Sequence, residues 1–188
     1  MSAVQPTVSL DPHGNGIIQL PPPHPRYQVS TQTLCLASPF LAELYTTANF
    51  VRTSEDDDPK AVIILLKIFH FIDPDISEEL ITPKNVAMIA RLCEKWKCEK
   101  ALGPYPKMWL SILEKNYPEK REPWQLWLRI GKAFGRRDIV ESITAETARS
   151  VWKTNGFEEL EALKSSGMDA QVIGEPLLLF DSKCKCCY

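Results

Sequence analysis

Half of the protein's six cysteines, Cys184, Cys186 and Cys187, fall in the last five residues, and lysines flank them. Adjacent thiols beside lysines suit an acyl anchor through palmitoylation, or capture of a soft metal by thiolates. A thiol- or metal-dependent protein is therefore one functional class the sequence offers. An unselected chain end is the bland alternative for the same residues. Lys185 stands fourth from the end, where a prenylation box requires cysteine. Cys35, Cys93 and Cys98 lie in apolar or helical surroundings and read as buried free thiols. Cys93-x4-Cys98 has neither a second pair nor histidines at zinc-site spacing.

The other chemistry-bearing residues form no working set in sequence. His13 sits in a turn, His24 between prolines, and His70 at a helix end. None has a neighbour that completes a triad or a metal pair, so no catalytic residue, metal ligand or cofactor site is assigned. Gly14-x-Gly16 precedes a strand and lacks the rest of a dinucleotide fingerprint, so it reads as a turn. Glu55-Asp56-Asp57-Asp58-Pro59 lacks the glycine and carboxylate spacing of a calcium loop. Acids there suit the positive end of a helix dipole, with Asp58 as cap and Pro59 as first helical residue. Arg129, Lys132, Arg136 and Arg137 make a basic patch, but the nearby tryptophans sit on the opposite stripe. A nucleic-acid face wants both on one side.

Bulk composition narrows the classes further. The 188 residues carry 22 lysines and arginines against 24 acids, a net charge of -2. That balance argues against generic attraction to nucleic acid or to an anionic membrane. At 44% hydrophobic residues the chain can build a real core. The longest dense apolar run, Ala61 to Leu66, falls far below the roughly 18 residues of a membrane span. A start without a basic region and apolar core lacks a secretory signal, and an intracellular setting, cytoplasmic or nuclear, is expected.

Several elements follow from local signals. Val8 and Leu10 precede Asp11-Pro12-His13-Gly14-Asn15-Gly16, and Ile17, Ile18 and Leu20 follow it, giving two short strands around a turn. Tyr27-Gln28-Val29 alternates as a further strand, and Asn49–Thr53 has strand character. Ser30 caps a helix bearing Leu34, Leu36 and Ala37, and Ser38-Pro39 restarts the chain as another. The apolar helix from about Pro59 to His70 belongs at the centre of the core. Thr82-Pro83 begins a helix with Val86, Ile89, Ala90, Cys93 and Trp96 on one stripe. A helix over Glu99–Lys115 follows, its first turns disturbed by Gly103-Pro104. Beyond a charged connector at Asn116–Arg121, further helices are expected around Trp124–Phe134, Ile139–Val151 and Phe157–Leu163.

In order, several segments resemble the BTB/POZ domain, particularly the divergent form abundant in filamentous fungi. They are Asp11–Ile18, Tyr27–Pro39 with its Ser-Pro junction, the acidic loop and apolar helix from Glu55, Leu92–Cys98, and Trp109-Leu110. The helices after residue 122, with Trp124-x2-Trp127-Leu128, resemble the group's helical extension. The resemblance implies an α/β (α+β) fold: a small sheet flanked by a helical cluster, followed by that extension. Its boundaries would be a disordered start over 1–7, the BTB/POZ-like domain over 8–115, the extension over 122–165 and a loose cysteine-containing tail over 168–188. It implies a non-enzymatic interaction module that self-associates as a homodimer or recruits a protein partner. The face carried over is Ile17, Ile18, Leu34, Leu41, Leu44 and Tyr45. Some members recruit a cullin scaffold through a hydrophobic-x-glutamate element. Here that place reads Thr53-Ser54-Glu55, with threonine instead of the apolar anchor.

Overall fold

A computed structural model of the protein describes residues 6–46, 50–74, 76–117 and 123–154. The chain divides into two compact units, Met1–Lys120 and Arg121–Tyr188. That division falls within the charged connector. The fold is α+β, with a small mixed sheet and seven α-helices among the described residues.

The sheet of unit 1 has β1 (Thr7–Ser9), β2 (Gly16–Gln19), β3 (Arg26–Val29) and β4 (Phe50–Arg52), ordered β1-β3-β2-β4. β2 and β3 are antiparallel, with Ile18 opposite Tyr27. β4 lies parallel to β2, and β1 parallel to β3. Strand alternation turns Ile18 of β2 and Tyr27 and Val29 of β3 inward. Both strands expected around the Asp11–Gly16 turn form, but they do not pair with each other. Gln28 explains why. Its carbonyl accepts from the Leu10 and Asp11 amides, and its side-chain amide donates to the Gly14 carbonyl at 2.9 Å. The turn is thus pinned against β3, and β1 runs along that strand's outer edge. Thr7 opens β1 rather than belonging to a disordered start. The glycines are a matter of space. A Cβ at Gly14 would lie 2.6 Å from the Val29 carbonyl carbon, and one at Gly16 2.5 Å from the Thr31 methyl.

Four helix starts share one chemistry. Ser30 caps α1 (Thr31–Ala37), Ser38 caps α2 (Pro39–Tyr45), Asp58 caps α3 (Pro59–Phe69) and Thr82 caps α4 (Pro83–Trp96). Each side-chain oxygen accepts an otherwise orphaned amide of the first turn. Proline follows in the last three cases, where its missing N–H costs nothing. The helix expected over Glu99–Lys115 is divided. A 3-10 turn at Glu99–Leu102 ends at Gly103, whose φ of 55° breaks the chain direction, and α5 runs Tyr105–Asn116. α3 is the core helix, burying Ala61, Val62, Leu65, Leu66, Ile68 and Phe69. It packs on the buried row of α4, which includes Val86, Ile89, Cys93 and Trp96.

Polar bridges join helix ends across this core. The fully buried Ser38 hydroxyl accepts from the Leu41 amide at 3.0 Å and donates to the carbonyl of Trp96, the last residue of α4. His70 closes α3: Nδ1 contacts the Leu66 carbonyl at 2.8 Å, and Nε2 accepts from the Ser30 amide at 3.0 Å. That pairing assigns the Nδ1–H tautomer. Buried Asp57 holds Lys95 of α4 through both carboxylate oxygens, at 2.8 and 2.7 Å, and accepts from the Ser54 amide.

Unit 2 pairs α6 (Trp124–Ala133) with α7 (Arg137–Thr154) through Gly135, whose φ is 67°. Trp127, Leu128, Ile130, Ile139 and Ile143 are buried. Gly131 permits the close approach, since a Cβ there would lie 3.0 Å from a Val140 methyl. The helix expected around Phe157–Leu163 and the tail cysteines Cys184, Cys186 and Cys187 lie outside the described residues. Among the described residues, no helix is long and apolar enough to cross a membrane.

The Ser38 bridge yields a first prediction. Ser38→Ala strands a buried amide and a buried carbonyl, and is expected to cost about 2 kcal/mol. Ser30 is only part-buried, and Ser30→Ala is expected to cost about 1 kcal/mol from cap loss. Urea denaturation compares the two, and equal losses would contradict the burial argument.

Candidate functional site

Unit 1 carries an apolar cleft of about 180 Å³. The local rules that start α3 and α4 also build its walls. Capping by Asp58 fixes the first turns of α3, which present Ala61, Ile63 and Ile64. Capping by Thr82 fixes the start of α4, which contributes Asn85, Val86 and Ile89. The connecting segment adds Pro74, Ile76, Leu80 and Ile81, and α5 adds the fully buried Trp109. The Trp109 ring stands 5.8 Å from that of Tyr105 in a tilted pair.

The polar side chains at the cleft hold its walls. Asp58 Oδ1 accepts from the Ala61 amide at 2.9 Å. Asn85 Nδ2 donates to the Leu80 carbonyl at 2.7 Å. Lys60 is exposed at the edge. Such a lining can take an aliphatic or aromatic side chain; it brings together no nucleophile with a base.

The fold divides the face carried over by resemblance. Ile18, Leu34 and Leu41 are completely buried and Tyr45 nearly so, while Ile17 and Leu44 are half-buried. The reason is packing. Inward alternation of β2 consumes Ile18, and α1 and α2 spend Leu34, Leu41 and Tyr45 on the unit's own core. Burial pushes the Tyr45 hydroxyl pKa well above the ordinary phenol range, with the Cys35 thiol adding to the effect. Thr53 is also buried: its amide donates to the Gln19 carbonyl at 3.0 Å, and its hydroxyl contacts the same oxygen at 3.3 Å. The threonine in the hydrophobic-x-glutamate place therefore points into the fold.

Different residues reach solvent. Phe71 is 95% exposed and Leu36 83%, with Val8, Leu80 and Met108 also exposed. Phe71, just past the expected end of α3, is not singled out in the sequence. The sequence ends the helix at about His70, but only the left-handed backbone at Phe71 itself, which no local signal announces, accompanies its exposure.

The chemistry-bearing residues resolve into structural roles. His13 donates its backbone amide to Asp11 Oδ1 within the turn. His70 bridges two helix ends, and Asp57 pairs with Lys95. Cys93 and Cys98 are buried, but Cys35 is only half-buried, so the expectation of three buried thiols is corrected for it. A hydrogen bond to the Cys98 thiol, together with burial, pushes the Cys93 pKa far up and keeps it a neutral thiol. Among the described residues, no cluster of three or more histidines, cysteines or acids is placed to hold a metal ion. In the basic patch, Arg136 forks onto Asp138 at 2.8 and 2.7 Å. No family model matches the chain, and no curated protein matches it.

That fork sets a titration. Hydrogen bonds from Arg136 hold the Asp138 carboxyl down at about 2. A depressed carboxylate contributes stability above its unfolded pKa and loses it as pH falls through the folded one. Solvent and salt screen this exposed pair, so the carboxyl resonance in NMR is the readout. Its midpoint is expected near 2 in the protein, and Arg136→Gln is expected to return it toward the ordinary aspartate range. An unmoved midpoint in the variant contradicts the assignment.

Proposed function

We propose that this chain is a non-enzymatic protein-interaction module of the BTB/POZ type, acting inside the cell. What carries the reading is where unit 1 leaves its large apolar side chains. Phe71, Leu36, Leu80, Met108 and Val8 are all exposed on that one unit, which also carries an apolar cleft with Leu80 in its lining. Single exposed apolar residues are ordinary, but an apolar cleft with the exposed Leu80 in its lining suits a partner's side chain. The ordered motifs from Asp11 to Leu110 support the family, and the small mixed sheet beside the Ser38-Pro39 corner is consistent with it.

The interaction surface differs from the one the resemblance implies. It centres on the α3–α4 cleft and the C-terminal end of α3, because Ile18, Leu34 and Leu41 are spent on the core. A cullin scaffold is not part of this reading, since Thr53 offers no exposed anchor. The free thiols Cys35, Cys93 and Cys98 agree with a reducing compartment.

Affinity capture from producing cells tests the reading, with the tagged full chain beside its Leu80→Glu variant. Leu80 is half-exposed at the cleft, so the variant is expected to fold, with unchanged circular dichroism. A defined set of proteins is expected with the wild type, falling roughly tenfold for the variant, as for loss of an interface anchor. Equal recovery by the two proteins would refute the cleft as the contact surface.

A further inference from the structure

The C-terminal end of α4 brings two cysteines together. Lys97 closes the helix in the left-handed conformation, at a φ of 52°, and folds the chain back over the last turn. The Lys97 and Cys98 amides both donate to the Cys93 carbonyl, the second at 3.2 Å. In such a cap the side chains at the positions of Cys93 and Cys98 meet beside the last turn. Here both are buried thiols. The Cys98 Sγ lies 4.0 Å from the Cys93 carbonyl oxygen, and the two thiols share a hydrogen bond. The backbone bond holds the two Cα atoms within about 7 Å, a span that a disulfide can bridge.

The short loop between them gives the pair its consequence. It contains Lys95, which pairs with Asp57, and Trp96, whose carbonyl receives the Ser38 hydroxyl. Both polar bridges from the end of α4 to the rest of the unit start inside that loop. Its outer side carries exposed Glu94, Lys95 and Lys97, so local fraying of the helix end admits a solute the size of water.

We propose that Cys93 and Cys98 form a redox-sensitive pair, closed to a disulfide by a peroxide, that staples the end of α4. Hydrogen peroxide transfers an oxygen to the first sulfur, which becomes a sulfenic acid as one water leaves. The second sulfur then attacks the first: the S–O bond breaks, the S–S bond forms and a second water leaves. Two thiols thereby give two electrons and two protons to one peroxide, which becomes two waters. Contact between the sulfurs makes the second step intramolecular and sets it ahead of further oxidation. Burial keeps the Cys93 thiol protonated, so the first step is slow and answers sustained oxidant. Free thiols are the resting state in a reducing compartment, and the disulfide is the state under oxidative challenge. The pair is independent of what the cleft binds.

Peptide mapping of the purified full chain tests this, after exposure of the folded protein to hydrogen peroxide and alkylation of the remaining thiols. Trypsin cuts after Arg91, Lys95, Lys97 and Lys100. A Cys93–Cys98 bond therefore joins Leu92–Lys95 to Cys98–Lys100, in a species two hydrogens lighter than the separate peptides. That species is expected as the main oxidised form of these two cysteines. Closing so short a loop is expected to raise Tm by about 5 °C, with no such gain for Cys98→Ala treated alike. The mapping uses the wild type alone, so it decides the chemistry even where the variant folds poorly. Recovery of Cys93 and Cys98 as alkylated thiols or sulfinic acids overturns the proposal. So does joining to Cys184, Cys186 or Cys187 in place of each other, or joining that occurs only in urea. A joined chain whose Tm is no higher than that of the reduced one also overturns it.

Discussion

One buried hydroxyl governs how the first unit closes. Ser38 ends the approach to α2 and meets the last carbonyl of α4, 58 residues further along the chain. Its oxygen satisfies an amide at one helix end and its proton satisfies a carbonyl at another. Each end carries backbone groups that an α-helix cannot satisfy internally, and burial would make either orphan costly. A side chain without both a donor and an acceptor at that atom would leave one of them unmet. The α1–α2 corner is therefore held against α4. His70 does the same for the C-terminal end of α3 and the N-terminal end of α1, and the Asp57–Lys95 pair joins the acidic loop to α4.

Against this frame, the distribution of apolar side chains becomes informative. α3 and the inward residues of the sheet use their hydrophobic surface on the unit itself. A second set stays outside: Leu80 in the cleft lining, Phe71 just past α3, Leu36 on α1, Met108 on α5 and Val8 on β1. The polar groups at that cleft hold backbone in place, so shape and apolar contact dominate what it can recognise. The basic residues of the second unit include an arginine already engaged by a neighbouring aspartate, which lowers the net field that patch presents.

Much of the architecture was readable residue by residue because its causes are local. Ser30, Ser38, Asp58 and Thr82 announced their helices through a side chain reaching a backbone amide three residues on. The apolar stripe of α3 announced the core helix, and the α+β class, implied by the resemblance, is the one observed. Causes acting across the chain were not readable. Nothing near Asp57 announces Lys95, and nothing near His70 announces Ser30. The pairing of β1 with β3 depends on Gln28 reaching back to Gly14. The site suffered most. Leu34 and Leu41 were carried over by the resemblance, and neither a resemblance nor periodicity says whether an apolar face is consumed internally. Phe71 carried no signal in the sequence; its left-handed backbone and its exposure emerge only in the folded chain.

The separation of Ser38 from its carbonyl partner also bears on how quickly the unit assembles. Each cap closes over a few residues, whereas the Ser38–Trp96 contact encloses α2, β4, α3 and α4 in a single loop. Loop closure becomes more costly with enclosed length, and contacts distant in sequence slow the search for the native arrangement. Short helical turns are therefore expected to precede the corner, with the hydroxyl bridge among the last contacts made. Stopped-flow refolding of a Ser38 variant reads this order: faster unfolding with a nearly unchanged refolding rate agrees with it, and slowed refolding does not.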